Sequence, residues 1–444
     1  MKNTAISIFR SFSMDKFFKV SAITAAMVGA IAAAPASAAT DSAAGDQYVD
    51  ALTEFLSGSS LSLVAVSDTR YRSHKIGQSA EHEENLNYSD YNIAVNFSSG
   101  YHNDSVGIDL GGYFSGSLYN NGACAEISQC DGWAQDESQN GTLKVTKAAL
   151  KFKGGDSFRG DVGLTQMGVG TIGNVWSFVP GTYKGAKAFV DVGGFTLGYG
   201  AATAHTAPWW MTSKQDPYLN TSNDSTFDFL QSVGLTGKVG GLGLNLGLGH
   251  ANLSSSSESN TSFKAQFDFN VGDAALSYDL YAVNSDVDYD GLGAHHGLSL
   301  TMPVGSVNWM SQLRYTHTEN SAEFTPRTVR AYGSNNGTWS QWWDALSDWN
   351  QDTQLAWYNR INKDFGDGWF GYVGLGVSTI SEESVGFDAE YAVNGTFGYT
   401  LPSGAMKGTT MRFHTTYLTR DMSDNSDYER VDFRFQIIVP HNFF

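Results

Sequence analysis

The sequence has 444 residues, a formal net charge of −18 at pH 7 and an aromatic content of 13%. The acidic balance argues against a nucleic-acid partner, because such proteins carry a basic patch that contacts phosphates. Eight prolines occur against 49 glycines, and no proline-rich tract or composition break marks a linker. We therefore expect one large β architecture rather than the two or three soluble domains that this length would suggest.

The N-terminal residues have the features of a secretory signal peptide. Lys16 and Lys19 precede an apolar stretch, and a small-residue A-x-A site ends at Ala38. We expect residues 1–38 to be removed, residues 39–59 to form a short periplasmic segment and residues 60–444 to form the folded domain. Translation from Met1 or from Met14 would supply a complete signal in either case.

Beyond residue 60, short segments alternate apolar side chains with polar residues or glycine. In the clearest case, glycines and one asparagine separate four leucines, namely Leu242, Leu244, Leu246 and Leu248. Successive side chains of a strand point to opposite faces, so each segment has one apolar and one polar face. Many segments run about ten residues, the length that a tilted strand needs to cross a bilayer. This pattern favours a transmembrane barrel over a soluble sandwich.

The connections between these segments alternate in length. Short connections are predicted near 100–103, 154–157, 193–194, 240–241, 272–273, 303–306, 362–368 and 401–407. Long ones are predicted near 68–89, 115–142, 166–183, 204–226, 284–295, 318–351 and 420–428, with shorter ones at the same end near 253–259 and 378–388. This alternation of short and long connections predicts an all-β fold, an antiparallel up-and-down barrel of about 18 strands in the bacterial outer membrane. The short connections would be periplasmic turns and the long ones external loops.

Charged residues on the predicted strands lie opposite to the apolar positions. The cations are Lys147, Lys151, Lys153, Arg159, Lys187, Arg314, Arg360, Arg412 and Arg434, and the carboxylates are Asp109, Asp161, Asp191, Asp268 and Asp279. A cation on the lipid face would cost roughly 2–4 kcal/mol near the midplane, so these residues are expected to face the lumen. Among them, Lys187, Arg314, Arg360 and Arg412 are candidate contacts for a polar solute.

Tryptophans concentrate in the predicted external loops. The candidates for solute binding are Trp176, Trp209, Trp210, Trp342 and Trp343. An indole packs against the C–H face of a sugar ring while nearby polar groups bond its hydroxyls. A structural role at the membrane interface remains the alternative for some of them.

The remaining motifs do not predict catalysis or a cofactor. Residues 168–173 spell G-x-G-x-x-G, but no helix follows, as a dinucleotide site would require. Residues 286–291 resemble the start of a calcium loop, yet Gly297 stands where the bidentate Glu is expected. Neither G-x-S-x-G nor H-E-x-x-H occurs, so we expect no enzyme and no metal centre. Cys124 and Cys130 are expected to form a disulfide in an external loop.

Several segments resemble the OprD family of substrate-specific porins and, within it, the chitoporin branch. The stretch from Trp176 to Ala186 is similar to the third loop of that branch, and Trp342-Trp343-Asp344 is similar to its seventh. The resemblance implies an eighteen-stranded barrel narrowed by these two loops. It also implies passage of chito-oligosaccharides, with Tyr183 and Asp344 matching constriction positions.

The leading hypothesis is an outer-membrane porin for small polar solutes that takes up chito-oligosaccharides. The alternatives are an OprD-type channel for amino acids, peptides or carboxylates and, less favoured, a barrel hydrolase that would use His414. The expected partners are outer-membrane lipids, lipopolysaccharide and the solute. The sequence is compatible with either a monomer or a homotrimer.

Overall fold

The computed structural model of the chain describes residues 53–77, 83–121, 143–173, 181–206, 227–253, 259–285, 291–320, 323–324, 345–347, 349–381 and 386–443. Eighteen β-strands account for most of these residues. In chain order they are β1 (Ser60–Gly77), β2 (Glu83–Ser98), β3 (Val106–Asn120), β4 (Leu143–Gly154), β5 (Phe158–Thr165), β6 (Thr182–Val192), β7 (Phe195–Thr206), β8 (Phe227–Val239), β9 (Leu242–Leu253), β10 (Ser259–Val271), β11 (Ala274–Ser285), β12 (Gly291–Val304), β13 (Val307–Thr318), β14 (Leu355–Gly366), β15 (Trp369–Thr379), β16 (Phe387–Thr400), β17 (Thr410–Met422) and β18 (Asp427–Asn442).

Each strand pairs antiparallel with its neighbours in the chain, and β1 pairs with both β2 and β18. The sheet therefore closes into an eighteen-stranded barrel, which confirms the predicted architecture. At the seam, the β1–β18 register runs from Ser62 opposite Asn442 to Gly77 opposite Asp427. Closure leaves no unpaired sheet edge, so the hydrocarbon core of a membrane meets no unsatisfied backbone groups there.

The outer face of the barrel wall is apolar. Val373 is 65% exposed, Leu248 57% and Phe397 52%, although all three lie well inside their strands. Exposed apolar side chains of this size are a liability in water and are favourable against lipid. The outer face is therefore the lipid-facing surface, and the alternate side chains face the lumen.

The predicted short and long connections occur at opposite ends of the barrel, but three of the predicted long ones are wrong. The connection predicted at 284–295 is only residues 286–290. The strands β1 and β2 extend to Gly77 and from Glu83, so the connection predicted at 68–89 is only residues 78–82. The strands β17 and β18 likewise shorten the connection predicted at 420–428 to residues 423–426. These strand ends carry charged side chains that pair across strands, as Lys75 does with Asp427 at 2.8 Å, and isolated charges are hard to distinguish from a loop in sequence.

Residues 53–59 and 99–103 belong to a compact unit of their own. A helical turn begins at Thr53, and the backbone N–H of Gly100 donates to the carbonyl oxygen of Phe55 at 2.7 Å. Glu54 accepts a hydrogen bond from the backbone N–H of Asn103 at 2.8 Å and lies 2.8 Å from His102 Nδ1. Within the described part of the chain, no helix has the length and apolar character needed to cross a membrane.

Candidate functional site

The inner face of the barrel carries the charges that the alternation predicts there. Arg314 is 6% exposed, whereas its neighbour Leu313 on the outer face is 43% exposed. On the wall formed by β3 to β6, cations and carboxylates pair across strands. Lys187 Nζ lies 3.2 Å from Asp161 Oδ2. In the same wall, Lys147 and Lys151 both bond to Asp109, and Arg159 bonds to Asp191.

A second charged group lies at the seam between β1 and β18. Asp432 is fully buried, and its Oδ2 accepts hydrogen bonds from Nε of Arg70 at 2.9 Å and of Arg72 at 2.8 Å. Its Oδ1 accepts from Nε of Arg434 at 2.6 Å. One carboxylate thus holds three guanidinium groups in the lumen wall. Removing one partner of such a buried pair typically costs 3–5 kcal/mol, so Asp432 is expected to stabilise the closing seam.

The sequence predicts only part of the charged group at the seam. Arg434 was expected in the lumen, but Arg70 and Arg72 lay in a stretch predicted as a loop. Asp68, Arg70 and Arg72 alternate with Thr69 and Tyr71 along β1. Because this alternation has the period of a strand, it is the signal that could have found them.

The third long connection begins with a segment that folds onto the inner face of the barrel. This third-loop segment comprises residues 166–173, and its side chains Met167, Val169, Thr171 and Ile172 are at most 2% exposed. Val169 and Ile172 exchange both backbone hydrogen bonds, each at 2.9 Å, and so close a tight turn. Gly170 in that turn has a φ of +55°, a conformation that glycine adopts without steric cost.

The wall beneath the turn consists of glycines. A Cβ built on Gly234 would lie 2.6 Å from the backbone nitrogen of Gly170, and one built on Gly247 would lie 2.6 Å from its carbonyl carbon. Both contacts are far shorter than the usual 3.5–4.0 Å between carbon atoms. The side chain of Val169 lies over Gly198 and Gly200 of β7, where built Cβ atoms would be 3.2 Å and 3.3 Å from it. Only a wall without side chains lets the backbone of the segment lie this close.

Two residues predicted to contact solute hold the ends of the third-loop segment. Lys187 Nζ donates to the carbonyl oxygen of Gln166 at 2.6 Å. Tyr183 is fully buried, and its hydroxyl donates to the carbonyl oxygen of Gly173 at 3.0 Å. The hydroxyl of Tyr183 is therefore engaged in supporting the loop. In this arrangement Tyr183 offers no surface to the lumen.

The seventh long connection also folds inward. This seventh-loop segment comprises residues 323–324, 345–347 and 349–354 of the described chain. Phe324 and Asn350 join its two parts, because the N–H of Phe324 donates to the carbonyl oxygen of Asn350 at 2.6 Å and the Asn350 amide donates back at 3.2 Å. Glu323 and Gln351 form a further bridge beside this pair.

Aromatic packing anchors the seventh-loop segment. Trp349 is 2% exposed, its ring centroid lies 5.5 Å from that of Tyr358, and its carbonyl oxygen accepts a hydrogen bond from Thr316 Oγ1 at 2.9 Å. The apolar cluster around it comprises Met310, Ala345, Leu346, Ala356, Tyr358, Ala392, Leu418 and Tyr428. A buried tryptophan contributes a large apolar contact area, so Trp349 anchors the segment to the barrel wall.

The guanidinium of Arg314 contacts a buried imidazole, that of His295. Its Nη2 lies 2.5 Å from His295 Nε2, and the ring of Phe324 stands edge-on to His295 with centroids 4.0 Å apart. Arg314 therefore also supports the seventh-loop segment. Arg360 and Arg412 lie deeper in the lumen: Arg360 covers the ring of Tyr372 at 4.7 Å, and Arg412 donates to Gln436 at 2.5 Å.

A cavity of about 300 Å³ lies beside the seventh-loop segment. It is lined chiefly by Arg72, Glu323, Gln351, Arg420, Tyr428 and Arg430. The guanidinium carbons of Arg420 and Arg430 lie 4.3 Å and 5.2 Å from the centroid of the Tyr428 ring. Arg420 also donates to Glu390 at 2.7 Å, whereas Arg430 has no carboxylate partner within the described ranges. The volume is at the lower end for a small-molecule site.

His414 lies in the lumen among hydroxyl groups. Its Nδ1 lies 2.7 Å from Thr396 Oγ1, and its Nε2 lies 2.8 Å from Thr416 Oγ1. Both ring nitrogens are thus occupied by side chains of the wall. The arrangement is that of a polar lining rather than of a base poised beside a nucleophile.

The other predicted site residues lie outside the described residues. They are Trp176, Trp209, Trp210, Trp342, Trp343 and Asp344, together with the predicted disulfide of Cys124 and Cys130. The predicted signal peptide, residues 1–38, and most of the acidic segment 286–291 also lie outside.

Comparison with known proteins agrees with this geometry. No protein-family model matches the sequence. The chain is 24% identical over 422 residues to the chitoporin of Escherichia coli strain K12, a match that covers 82% of this chain and 87% of that protein. The crystal structure of Acinetobacter baumannii OccAB1 superimposes with a TM-score of 0.68 at 15% identity and covers 88% of this chain and 98% of its own. That of Pseudomonas aeruginosa OpdK with vanillate gives 0.64 at 16% identity, covering 88% and 100%.

The closed barrel, its polar lumen and these matches define an outer-membrane porin that lets small solutes cross. The chain is a channel and not an enzyme. The resemblance to the OprD family that the sequence motifs indicate is confirmed by these matches.

Proposed function

We propose that this porin takes up chito-oligosaccharides. The observation that carries the proposal is the lumen, whose wall is built from paired charges, amides and hydroxyls and bears inward-folded segments on two sides. Such groups donate to and accept from the hydroxyl and acetamido groups of a neutral sugar. The similarity to the chitoporin of Escherichia coli along most of both chains supports the same substrate class.

Different roles are proposed for the residues predicted from the sequence. Arg360 and Arg412 would bond the sugar directly, because both lie on the lumen wall. Tyr183 and Lys187 would act through the third-loop segment that they hold, and Arg314 through the seventh. The stacking platforms would be the loop tryptophans Trp176, Trp209, Trp210, Trp342 and Trp343, with Asp344 as their polar neighbour.

A channel for small carboxylates is the second candidate, and the cavity beside the seventh-loop segment favours it. Arg430 lines that cavity without a carboxylate partner in the described part of the chain, so it can attract an anion. The similar OpdK was crystallised with vanillate, a carboxylate. This candidate predicts binding of a charged aromatic acid rather than of a neutral sugar.

Single-channel current in planar bilayers separates the two candidates. We expect chitohexaose to interrupt the current of the purified protein, with maltohexaose as the matched neutral sugar and vanillate as the matched acid. Interruption by vanillate alone would select the carboxylate channel. Equal interruption by both hexaoses, or by neither, would contradict chito-oligosaccharide uptake.

We also propose that residues 1–38 are removed on export, that residues 39–59 form a periplasmic segment and that Cys124 and Cys130 are joined. Intact mass and N-terminal sequencing of the exported protein test the first point, and non-reducing peptide mapping tests the last. Cross-linking in outer-membrane vesicles distinguishes a monomer from a homotrimer.

A further inference from the structure

A chain of hydroxyl groups fastens the third-loop segment to the barrel wall. The groups belong to Thr171 of the segment, Ser232 of β8 and Ser262 of β10, and each of these residues is at most 2% exposed. We propose that these three residues form a latch that holds the segment flat against the glycine wall and thereby sets the width of the pore. The proposal builds on the channel activity and does not depend on which solute passes.

The donors and acceptors of the latch follow from the distances. Ser232 Oγ lies 2.9 Å from the carbonyl oxygen of Leu248, which can only accept, so the Ser232 hydroxyl donates there. Its lone pairs then accept the backbone N–H of Thr171 at 3.0 Å and the Thr171 hydroxyl at 3.3 Å. Ser262 Oγ donates in turn to Thr171 Oγ1 at 2.8 Å. Every proton of the three hydroxyls has an acceptor.

The arrangement ties one residue of the loop to two strands. Thr171 bonds to Ser232 through its backbone and its side chain, and to Ser262 through its side chain alone. Buried hydroxyls that satisfy each other fully favour one geometry, because any displacement leaves polar atoms unpaired in a place where water is excluded. The latch therefore fixes both the height and the lateral position of the turn.

The glycine wall makes this position possible. A Cβ on Gly247 would meet the carbonyl carbon of Gly170 at 2.6 Å and the nitrogen of Thr171 at 2.9 Å. These neighbours are backbone atoms, which cannot rotate away as a side-chain end can. A methyl group at this position would therefore push the turn about 1 Å toward the barrel axis, given ordinary carbon contacts of 3.5–4.0 Å.

A matched pair of glycine variants tests the role of the wall. Gly247→Ala is expected to lower the open-channel conductance by roughly a third and to add brief closures, because the turn is displaced into the lumen. Gly243→Ala is the control, since it lies on the same face of β9 and its Cβ would first meet Asp268 at 3.4 Å. Wild-type conductance and noise in both variants would overturn the proposal.

A second pair of variants separates the hydroxyl of Thr171 from its methyl group. Thr171→Val keeps the branched shape and removes the hydroxyl, whereas Thr171→Ser keeps the hydroxyl. We expect increased current noise in Thr171→Val and wild-type noise in Thr171→Ser. Heat-dependent electrophoretic mobility, which reports an intact barrel, should be unchanged in both. Equal noise in the two variants would remove the hydroxyl from the mechanism.

A reversible tether tests the docked position itself. The oxygen atoms of Thr171 and Ser262 are 2.8 Å apart, so cysteines at both positions are close enough to form a disulfide. In a background with Cys124→Ser and Cys130→Ser, the oxidised tether should keep the conductance of the reduced protein and lower its noise. A conductance that changes on oxidation would show that the segment normally lies elsewhere. A wild-type protein that conducts no ions would instead contradict the channel function.

Discussion

The third-loop and seventh-loop segments both fold into the barrel, but they are attached to its wall by different physical means. The third-loop segment lies on glycines and is fastened by hydroxyls, and its backbone almost touches the strands beneath it. The seventh-loop segment buries an indole, a phenyl ring and a leucine in pockets between side chains. The first attachment requires that the strands beneath the segment carry no side chains. The second depends on the apolar area that large side chains bury.

This difference determines which substitution each attachment tolerates. A segment held by close backbone approach is sensitive to one added methyl group, because neither side can rearrange. A segment held by aromatic burial is sensitive to the loss of a large side chain, and it adapts to small additions by tilting a ring. Substitutions of opposite kinds should therefore release the two segments.

Truncating Trp349 should have the largest effect. We expect Trp349→Ala to destabilise the protein by about 3–5 kcal/mol, the usual cost of deleting a buried tryptophan, and to release the seventh-loop segment from the wall. Urea unfolding in lipid vesicles measures the first effect, and the level and noise of the open-channel current report the second.

The control for this prediction is a tryptophan on the opposite face of the wall. Trp357 is 51% exposed on the lipid side, and its indole donates to Ser311 on the neighbouring strand. We expect Trp357→Ala to alter lipid contact and leave the open-channel current at its wild-type level. If the two alanine variants changed the current equally, aromatic burial would not be what anchors the seventh-loop segment.

Adding a methyl group beneath Trp349 should have a smaller effect. A Cβ on Gly376 would lie 2.8 Å from a carbon at the edge of the Trp349 ring. We expect Gly376→Ala to cost about 1–3 kcal/mol, the range for overpacking, because the ring can tilt away. Urea unfolding measures this cost, and the change in conductance should be smaller than in Gly247→Ala.

The matched control is Gly395→Ala on β16, where a Cβ would meet its nearest atom, the carbonyl oxygen of Tyr372, at an ordinary 3.5 Å. Its unfolding midpoint should stay close to that of the wild type. A conductance loss in Gly376→Ala as large as that in Gly247→Ala would erase the distinction between the two attachments.

The sequence predicts the barrel well because its signals are local. Alternation with a period of two is set by the lipid on one side and the lumen on the other, so each strand shows it independently. The same rule places Arg314, Arg360 and Arg434 on the lumen face. It fails at the outer end of β1, where the register shifts between Arg72 and Ser73.

The attachments of the two loops could not be predicted, because they join residues far apart in the chain. Thr171 of the third-loop segment meets Ser262 across 91 positions, and Trp349 of the seventh-loop segment meets Thr316 across 33. In the alternating pattern of β9, the glycines between the leucines occupy positions of the polar face. The pattern alone therefore does not indicate that a loop backbone packs on Gly247. A run of lumen-facing glycines on adjacent strands is the signal that would have suggested a docked backbone.

The smallest predicted effect concerns the cavity beside the seventh-loop segment. We expect Arg430→Gln to leave stability and conductance close to wild type, because Arg430 contacts only the ring of Tyr428 within the described residues. The permeability ratio of anions to cations should fall by about 1.5- to 3-fold, since one uncompensated positive charge is removed from the lumen wall. The reversal potential across a salt gradient measures this ratio.

Arg434→Gln provides the contrast, because Arg434 is buried and bonded to Asp432 at 2.6 Å. Its guanidinium is buried and held by a carboxylate, so its loss should lower the unfolding midpoint more than the selectivity. An unchanged reversal potential in Arg430→Gln would mean that the cavity does not contribute to the ion path. The seventh-loop segment would then narrow the pore only by the space it fills, as we propose for the third-loop segment. The charge of Arg430 beside it would have no part in ion selectivity.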